Sequence, residues 1–499
     1  MRTGSPIVFG LSIVALLAGC LGGGDSDSDG GNGDGDSVAP TAGGYRLDCS
    51  ISNWAEPCLA WASPNDSPSK TEVDIVVNPT DPLNVVVASK DLDPLASPCV
   101  WAVAQVTKDG GHTWNTTYVG GTLAERQPGD MLYGWDCITD PILAFNPDGL
   151  LGYALQVSTL NPNGVVPRVP VPVLGNPIML PPRMGIQVLA LSSDGGESFG
   201  DMKLMHAGDN VAVFHDFLRM GSNPTTGTLF SAWQQVSLVT AQPVVTAYQP
   251  GSPVARPPVY FPRTEAILGM SPSGIVADSA GTVYAWFGGL NNGGVAYVAS
   301  SADDGLTFTM PTQAFSFSPL SPAQPFENAT YRAATIVEIA VDTSGGERDG
   351  CLYAAWADAG ADSEGIADIF LRSSCDGAAT WSEPVLVNTM RREDVQWMPR
   401  ITVDGHGNLH IVYFTRAYDP AHRLLDAEWA VSTDGGATWD SARITTVSFD
   451  GDLGLHQDGD AFIGDYIGIS SVGGDVWMGF PTTMTGRAEI AVAHAVHEE

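Results

Sequence analysis

Short apolar runs along the chain are broken at intervals by polar turns, and the run lengths are those of strands rather than helices. A repeating element consists of an apolar run, a turn centred on Asn or Asp, and a second apolar run that often ends in an aromatic residue. Its turns and second runs are Asn78 to Pro82 before Val85, Asn146 to Gly149 before Leu150, Asn223 to Gly227 before Leu229, and Asp278 to Gly281 before Val283. They continue with Asp342 to Gly345 before Leu352, Asp404 to Gly407 before Leu409, and Ser471 to Gly474 before Val476. Short β-rich runs, glycine-containing turns and a period of roughly 40 to 50 residues plus insertions predict an all-β chain folded as a β-propeller of four-stranded blades. Seven units favour seven blades.

A second motif recurs five times, as Thr107 to Trp114, Ser192 to Phe199, Ser301 to Phe308, Ser374 to Trp381 and Ser432 to Trp439. Each reads Ser/Thr-x-Asp-x-Gly-x-Thr/Ser-Trp/Phe, except that the fourth has Ala378 in the glycine place. The pattern suits a closed hairpin turn, in which the Asp carboxylate accepts backbone N–H groups, glycine supplies positive φ and the aromatic packs between sheets. Units three and seven carry no readable copy.

These five motifs resemble the Asp-box, or BNR repeat, of the sialidase superfamily, and the resemblance covers about residues 72 to 499. Sialidases are six-bladed, so six blades remain the alternative. The resemblance implies an exo-acting glycoside hydrolase with a Tyr nucleophile, a Glu base, an Asp acid and several arginines that clamp the substrate carboxylate. Tyr466 occupies a place similar to the family's nucleophile, Arg332 and Arg400 are candidate clamps, Asp394 or Asp91 a candidate acid, and Glu338 a candidate base. The family's Arg-Ile-Pro signature is absent, because no arginine lies between Arg46 and Arg126, where the Lys residues are Lys70, Lys90 and Lys108. Two readings therefore stand: a surface-anchored propeller that binds glycans or other extracellular ligands at its central mouth, and an exo-α-sialidase-like hydrolase.

In a four-stranded meander, the strand-two-to-three loops and the inter-blade crossings share one face, which should carry the site, while the Asp-boxes lie on the other. Residues before first strands on that face include Arg126, His215, Asp216, Arg219, Tyr331, Arg332, Asp394, Arg400, Asp465 and Tyr466. Those after second strands include Lys90, Asp91, Trp356, Asp358, Arg416 and Asp419. Trp356, Asp358, Arg416 and Asp465 are the candidate ligand contacts, Trp356 by stacking on a sugar beside the acidic loop that follows it. The proline-rich inserts from Asn161 to Pro182 and from Pro243 to Pro262 should rim or cap a face.

The N-terminus reads as a lipoprotein signal over residues 1–19. An apolar stretch from Ile7 to Leu17 is too short to span a bilayer as a helix, and Leu17-Ala-Gly-Cys20 resembles a lipobox that would leave Cys20 as the lipidated residue. Residues 20–44 are a Gly/Asp/Ser tether with almost nothing apolar to bury, and 45–71 form an N-terminal extension before the propeller at 72–499. The expected location is outside a cell membrane, held there by the lipid. The six remaining cysteines form an even set, which in an exported chain suggests disulfides. Cys351 with Cys375 would join successive strands of one blade, Cys49 with Cys58 would close a small loop, and Cys99 with Cys137 follows by elimination.

With 22 Lys plus Arg against 56 Asp plus Glu, the formal charge of −34 argues against nucleic acid and anionic membrane surfaces as partners. No Cys/His spacing suggests zinc, and no metal ligand set or cofactor is assigned. Calcium in the acidic segments Asp25 to Asp36 or Asp450 to Asp460 is the one option left open, with a solvated acidic run preferred in both. A monomer is expected.

Overall fold

Seven antiparallel sheets, each a four-stranded meander, stand in a ring in the computed structural model. It describes residues 39–498 apart from 55, 64–68, 92–98, 136, 159–184, 208–213, 237–240, 263–270, 290–293, 321–327, 332–334, 361–365, 389–393 and 458–459. Blade one comprises Lys70–Asn78, Asp81–Asp91, Trp101–Thr107 and Asn115–Tyr118, and blade two Cys137–Phe145, Leu151–Ser158, Gly185–Ser192 and Asp201–Ala207. Blade three is Phe214–Ser222, Leu229–Val236, Ala241–Tyr248 and Val259–Tyr260, and blade four Ser271–Ala277, Val283–Gly289, Val295–Ser301 and Thr312–Ser316. Blade five is Glu338–Val341, Leu352–Asp358, Asp368–Ser374 and Val385–Leu386, and blade six Gln396–Val403, Leu409–Thr415, Asp426–Ser432 and Asp440–Arg443.

The seventh blade takes three strands from the C-terminal end, Gly468–Val472, Asp475–Thr482 and Glu489–His497, and its fourth from Tyr45–Leu47. Tyr45 pairs with His497 and Leu47 with Ala495. The stretch read as an extension thus closes the ring, and a fourth strand drawn from the other end of the chain explains why unit seven has no Asp-box. First strands pack on first strands around the whole circle, with Gly468–Val472 against Lys70–Asn78 at the closure. A Cβ on Gly468 would lie 2.6 Å from the backbone nitrogen of Ile75, so only glycine lets the two blades approach this closely.

All five Asp-boxes are strand-three-to-four turns of one geometry. In the first, Asp109 Oδ1 accepts the Thr113 N–H at 2.9 Å and the Thr107 hydroxyl at 2.8 Å, while Gly111 N–H donates to Thr107 Oγ1 at 3.0 Å. Two successive residues take left-handed φ in every copy, and the second of them is Ala378 (φ 68°) in the fourth copy, where the others use glycine. The Asn/Asp turns between first and second strands work in the same way. Asn146 Oδ1 accepts the N–H groups of Asp148 and Leu150, and Asn84 reaches into the next blade's Asp-box with 3.0 Å to the Gly195 carbonyl.

Between blades the core is apolar and aromatic, with Trp101, Trp233, Trp286, Trp356, Trp397, Trp429 and Trp477 all fully buried. Cys49–Cys58, Cys99–Cys137 and Cys351–Cys375 are disulfides. Three disulfides suit an oxidising, extracytoplasmic setting. Among the described residues no helix is long and apolar enough to cross a membrane. Cys20, its signal and its tether lie outside the described residues.

Candidate functional site at the axial mouth

First strands start at the mouth face and run down the axis, and in four blades the same irregularity bends them there. Register slips by one residue between Thr71 and Asp74, Thr139 and Ile142, Asp216 and Arg219, and Trp397 and Arg400. The first residue inside each slip has left-handed φ: Glu72 (56°), Asp140 (52°), Phe217 (52°) and Met398 (56°). Non-glycine residues adopt this conformation at a cost, and a bulge of this kind re-aims the side chains around it.

What the bulges aim is charge. One layer of the axis holds Asp74, Arg219, Glu338 and Arg400, which sit at one register level opposite Ala88, Ala232, Ala355 and Val412 of their second strands. Arg400 Nη1 lies 2.7 Å from Glu338 Oε2, and its Nη2 3.4 Å from Asp74 Oδ1. Arg219 Nη2 meets the other Glu338 oxygen at 3.3 Å, and its Nη1 donates to the Leu218 carbonyl at 2.8 Å. Burial opposes the Arg400 charge, but Glu338 and Asp74 outweigh it and raise the guanidinium's pKa. The layer is two cations against two anions, all but closed from solvent.

Nearer the mouth lies a second, acidic layer. Lys90 Nζ pairs with Glu72 Oε2 at 3.0 Å and lies 4.7 Å from the centre of the Phe462 ring. The Thr139 hydroxyl stands between Glu72 Oε2 (3.5 Å) and Asp140 Oδ1 (2.9 Å), and Asp140 Oδ2 accepts the Phe217 N–H at 3.0 Å. Burial pushes the Glu72 carboxyl up to about 7; Lys90 opposes the shift while Asp140 and Asp465 add to it. Burial, then Asp140 and Asp465, raise Asp216 well above the usual carboxylate range.

Tyr466 sits beside both layers, buried, with its hydroxyl donating to the Pro141 carbonyl at 3.1 Å and the Arg219 guanidinium 5.3 Å from its ring centre. Burial, Glu72 and Asp140 hold its phenol far above the ordinary value, against the pull of Arg219. Such an environment disfavours the phenolate a nucleophile needs.

The other sequence candidates scatter. Glu338 and Arg400 meet at the axis, whereas Asp394 lies at the mouth above blade six, bonded to His422. Arg416 is buried near it, with its N–H on the Val395 carbonyl. Trp356 is buried in the wall between blades four and five against Phe315 and Phe370, and its indole donates to Asp358 at 2.9 Å, which leaves no face for a sugar. Asp358 is further occupied by the N–H groups of Ser318 and Gly360. Asp465 stands half-buried beside the acidic layer. Arg332 lies outside the described residues. In the acidic segment that begins at Asp450, Asp450 pairs with Arg423 and Asp452 accepts the Thr330 N–H and hydroxyl. Among the described residues no group of three or more His, Cys, Asp or Glu is arranged to hold a metal ion.

Glu72, Asp74, Thr139 and Asp140 were not singled out from sequence. Their signal is the two-residue step Glu72 to Asp74, Asp140 to Ile142, Phe217 to Arg219 and Met398 to Arg400 at the start of each first strand.

No protein-family model and no curated protein matches the chain. Solved structures do align with it. A protein of unknown function from Dyadobacter fermentans has TM-score 0.47 at 14% identity, over 91% of this chain and all of that one. A Hadza microbial sialidase has TM-score 0.45 at 14% identity, over 83% of this chain and 76% of that one. A variant of the NanB sialidase from Streptococcus pneumoniae has TM-score 0.43 at 11% identity, over 88% and 70%. The chain's own seven-bladed strand order carries the fold assignment.

Proposed function

We propose that the protein is a cell-surface propeller that binds an uncharged or cationic, hydroxyl-rich ligand such as a glycan at its axial mouth, and that it does not cleave sialosides. One observation carries this reading: both axial arginines are already held by carboxylates, and the layer above them sets Glu72, Asp140, Asp216 and Asp465 against Lys90. A sialic acid carboxylate would have to displace Glu338 or Asp74 from a buried pair, which costs several kcal/mol, and would pass an acidic rim on the way. Neutral sugars and amines meet neither obstacle. Anchoring through a lipid on Cys20, a monomeric state and the absence of nucleic-acid partners belong to the same reading, on the signal-like N-terminus and the net charge of −34.

A second reading has its own support. Glu72, held at about 7, can keep a proton at neutral pH, and Thr139 links it to Asp140. A protonated carboxyl near a carboxylate is the equipment of glycoside hydrolysis. The test is a panel of fluorogenic glycosides, α-sialosides included, together with a glycan array, using the fragment from residue 39 onward. Binding to neutral or amino-sugar glycans without sialoside turnover is expected. Sialoside turnover that disappears in Tyr466→Phe would overturn the binding reading, and turnover of other glycosides that disappears in Glu72→Gln would favour the second.

A further inference from the structure

Away from the axis, above blade six, the mouth carries an aspartate–histidine pair that the binding reading does not use. Asp394 lies two residues before the first strand of that blade and is buried, with Oδ1 accepting the Val395 N–H at 2.7 Å and Oδ2 2.6 Å from His422 Nδ1. A carboxylate can only accept, so Nδ1 carries the proton and the lone pair lies on Nε2. The His422 side chain is 57% exposed, against 8% for Asp394, and its Nε2 makes no hydrogen bond among the described residues. The backbone of His422 is held in the left-handed region (φ 53°). Asp419 fixes it there by accepting the N–H groups of Ala421, Arg423 and Leu424 on its carboxylate and that of His422 on its carbonyl. The pairing of Arg423 with Asp450 then pins the loop to the segment leading into blade seven. A strained, exposed histidine, oriented from behind by a buried carboxylate and locked by a four-bond turn, is the arrangement of a proton acceptor.

We propose that Asp394 and His422 form a general-base dyad that hydrolyses an acyl ester at the mouth, an activity beyond ligand binding. The base is suited to an ester and not to a glycosidic bond. An acetal carbon resists attack until its leaving oxygen is protonated, whereas an ester carbonyl carbon is already electrophilic. In the step, His422 Nε2 takes a proton from water as the water oxygen bonds to the carbonyl carbon. The bond from that carbon to the alkoxy oxygen then breaks, and the proton on Nε2 passes to the departing alcohol. The Asp394 carboxylate balances the imidazolium between the two transfers and acts as the positioning residue.

The test uses p-nitrophenyl acetate as the probe, with wild type, His422→Gln and Asp394→Asn. Hydrolysis at least tenfold above that of free imidazole at equal concentration is expected. Loss to the background of the remaining histidines is expected in His422→Gln, and a fall of 10-fold or more in Asp394→Asn. Because Asp394→Asn also touches the Val395 cap, side-chain nitrogen NMR separates orientation from misfolding: wild type should show His422 protonated on Nδ1 alone, and Asp394→Asn should show the two tautomers mixed in an otherwise unchanged spectrum. A wild-type rate no better than free imidazole, a full rate in His422→Gln, or an unchanged tautomer and rate in Asp394→Asn would each overturn the proposal. None of these outcomes bears on whether glycans bind at the axis.

Discussion

Arg400 meets Glu338 of the neighbouring blade at 2.7 Å beside the propeller axis, and the same carboxylate holds Arg219 with its other oxygen. Glu338 is therefore what lets two guanidinium groups share a nearly dry space. Glu338→Gln should destabilise the protein by about 3–5 kcal/mol, because it leaves one surplus buried charge with only Asp74 to balance two arginines. Denaturant titration reads this directly, and a loss below about 1 kcal/mol would show that water already neutralises the axis.

Tyr466→Phe removes one hydrogen bond, to the Pro141 carbonyl, and nothing else of the ring's packing. A loss of about 1 kcal/mol is expected, with ligand binding at the mouth unchanged. Loss of binding or of a glycosidase activity in this variant would instead place the hydroxyl in direct contact with ligand.

The five Asp-boxes provide an internal comparison of glycine with alanine. Ala378 holds a left-handed φ that its four counterparts give to glycine, so Ala378→Gly should stabilise by about 0.5–1 kcal/mol. Gly436→Ala should do the reverse by about 2 kcal/mol or more, since its Cβ would fall 2.3 Å from Leu371 Cδ2. Melting temperatures of the two single variants that move in the same direction would contradict this account of the motif.

Between blades two and three, His215 is fully buried, with its ring beside His206 and Trp233. Burial first, and His206 second, depress its pKa to about 3. The native state therefore keeps the ring neutral while the unfolded chain binds a proton below about 6.5, so stability present above that pH is lost progressively as pH falls towards 3. Wild type should lose up to roughly 1.4 kcal/mol per pH unit over this window relative to His215→Asn. Parallel stability curves for the two proteins would show that the site is hydrated.

Much of the fold is legible in the sequence because it is built from local repeats. The Asn/Asp turns, the Asp-boxes and the seven second strands each occupy a few consecutive residues; of the cysteine pairs, Cys351–Cys375 follows from strand adjacency, Cys49–Cys58 from closure of a short loop and Cys99–Cys137 by elimination. Ring closure is not legible in this way, since Tyr45–Leu47 is three residues long and its partner is at the far end of the chain. The site is legible only in part. Tyr466, Arg400 and Glu338 do converge, but sequence spacing does not reveal that Glu338 and Asp74 occupy the arginines, or that bulges at Glu72 and Asp140 turn carboxylates towards the mouth. Trp356 looks available from its place at a strand end, yet the neighbouring blade covers it.

The closing strand also sets an order of events during biosynthesis. Tyr45 is made long before its partner His497, so at roughly 5–20 residues per second the N-terminal strand waits on the order of half a minute or more for it. During that time the blade-one face formed by Val73, Ile75, Val77, Val85 and Val87 lacks Trp477, Ile490 and Val492, which cover it in the finished ring. Blade seven, and with it the ring, is thus completed only once Glu489–His497 has been made, long after blade one.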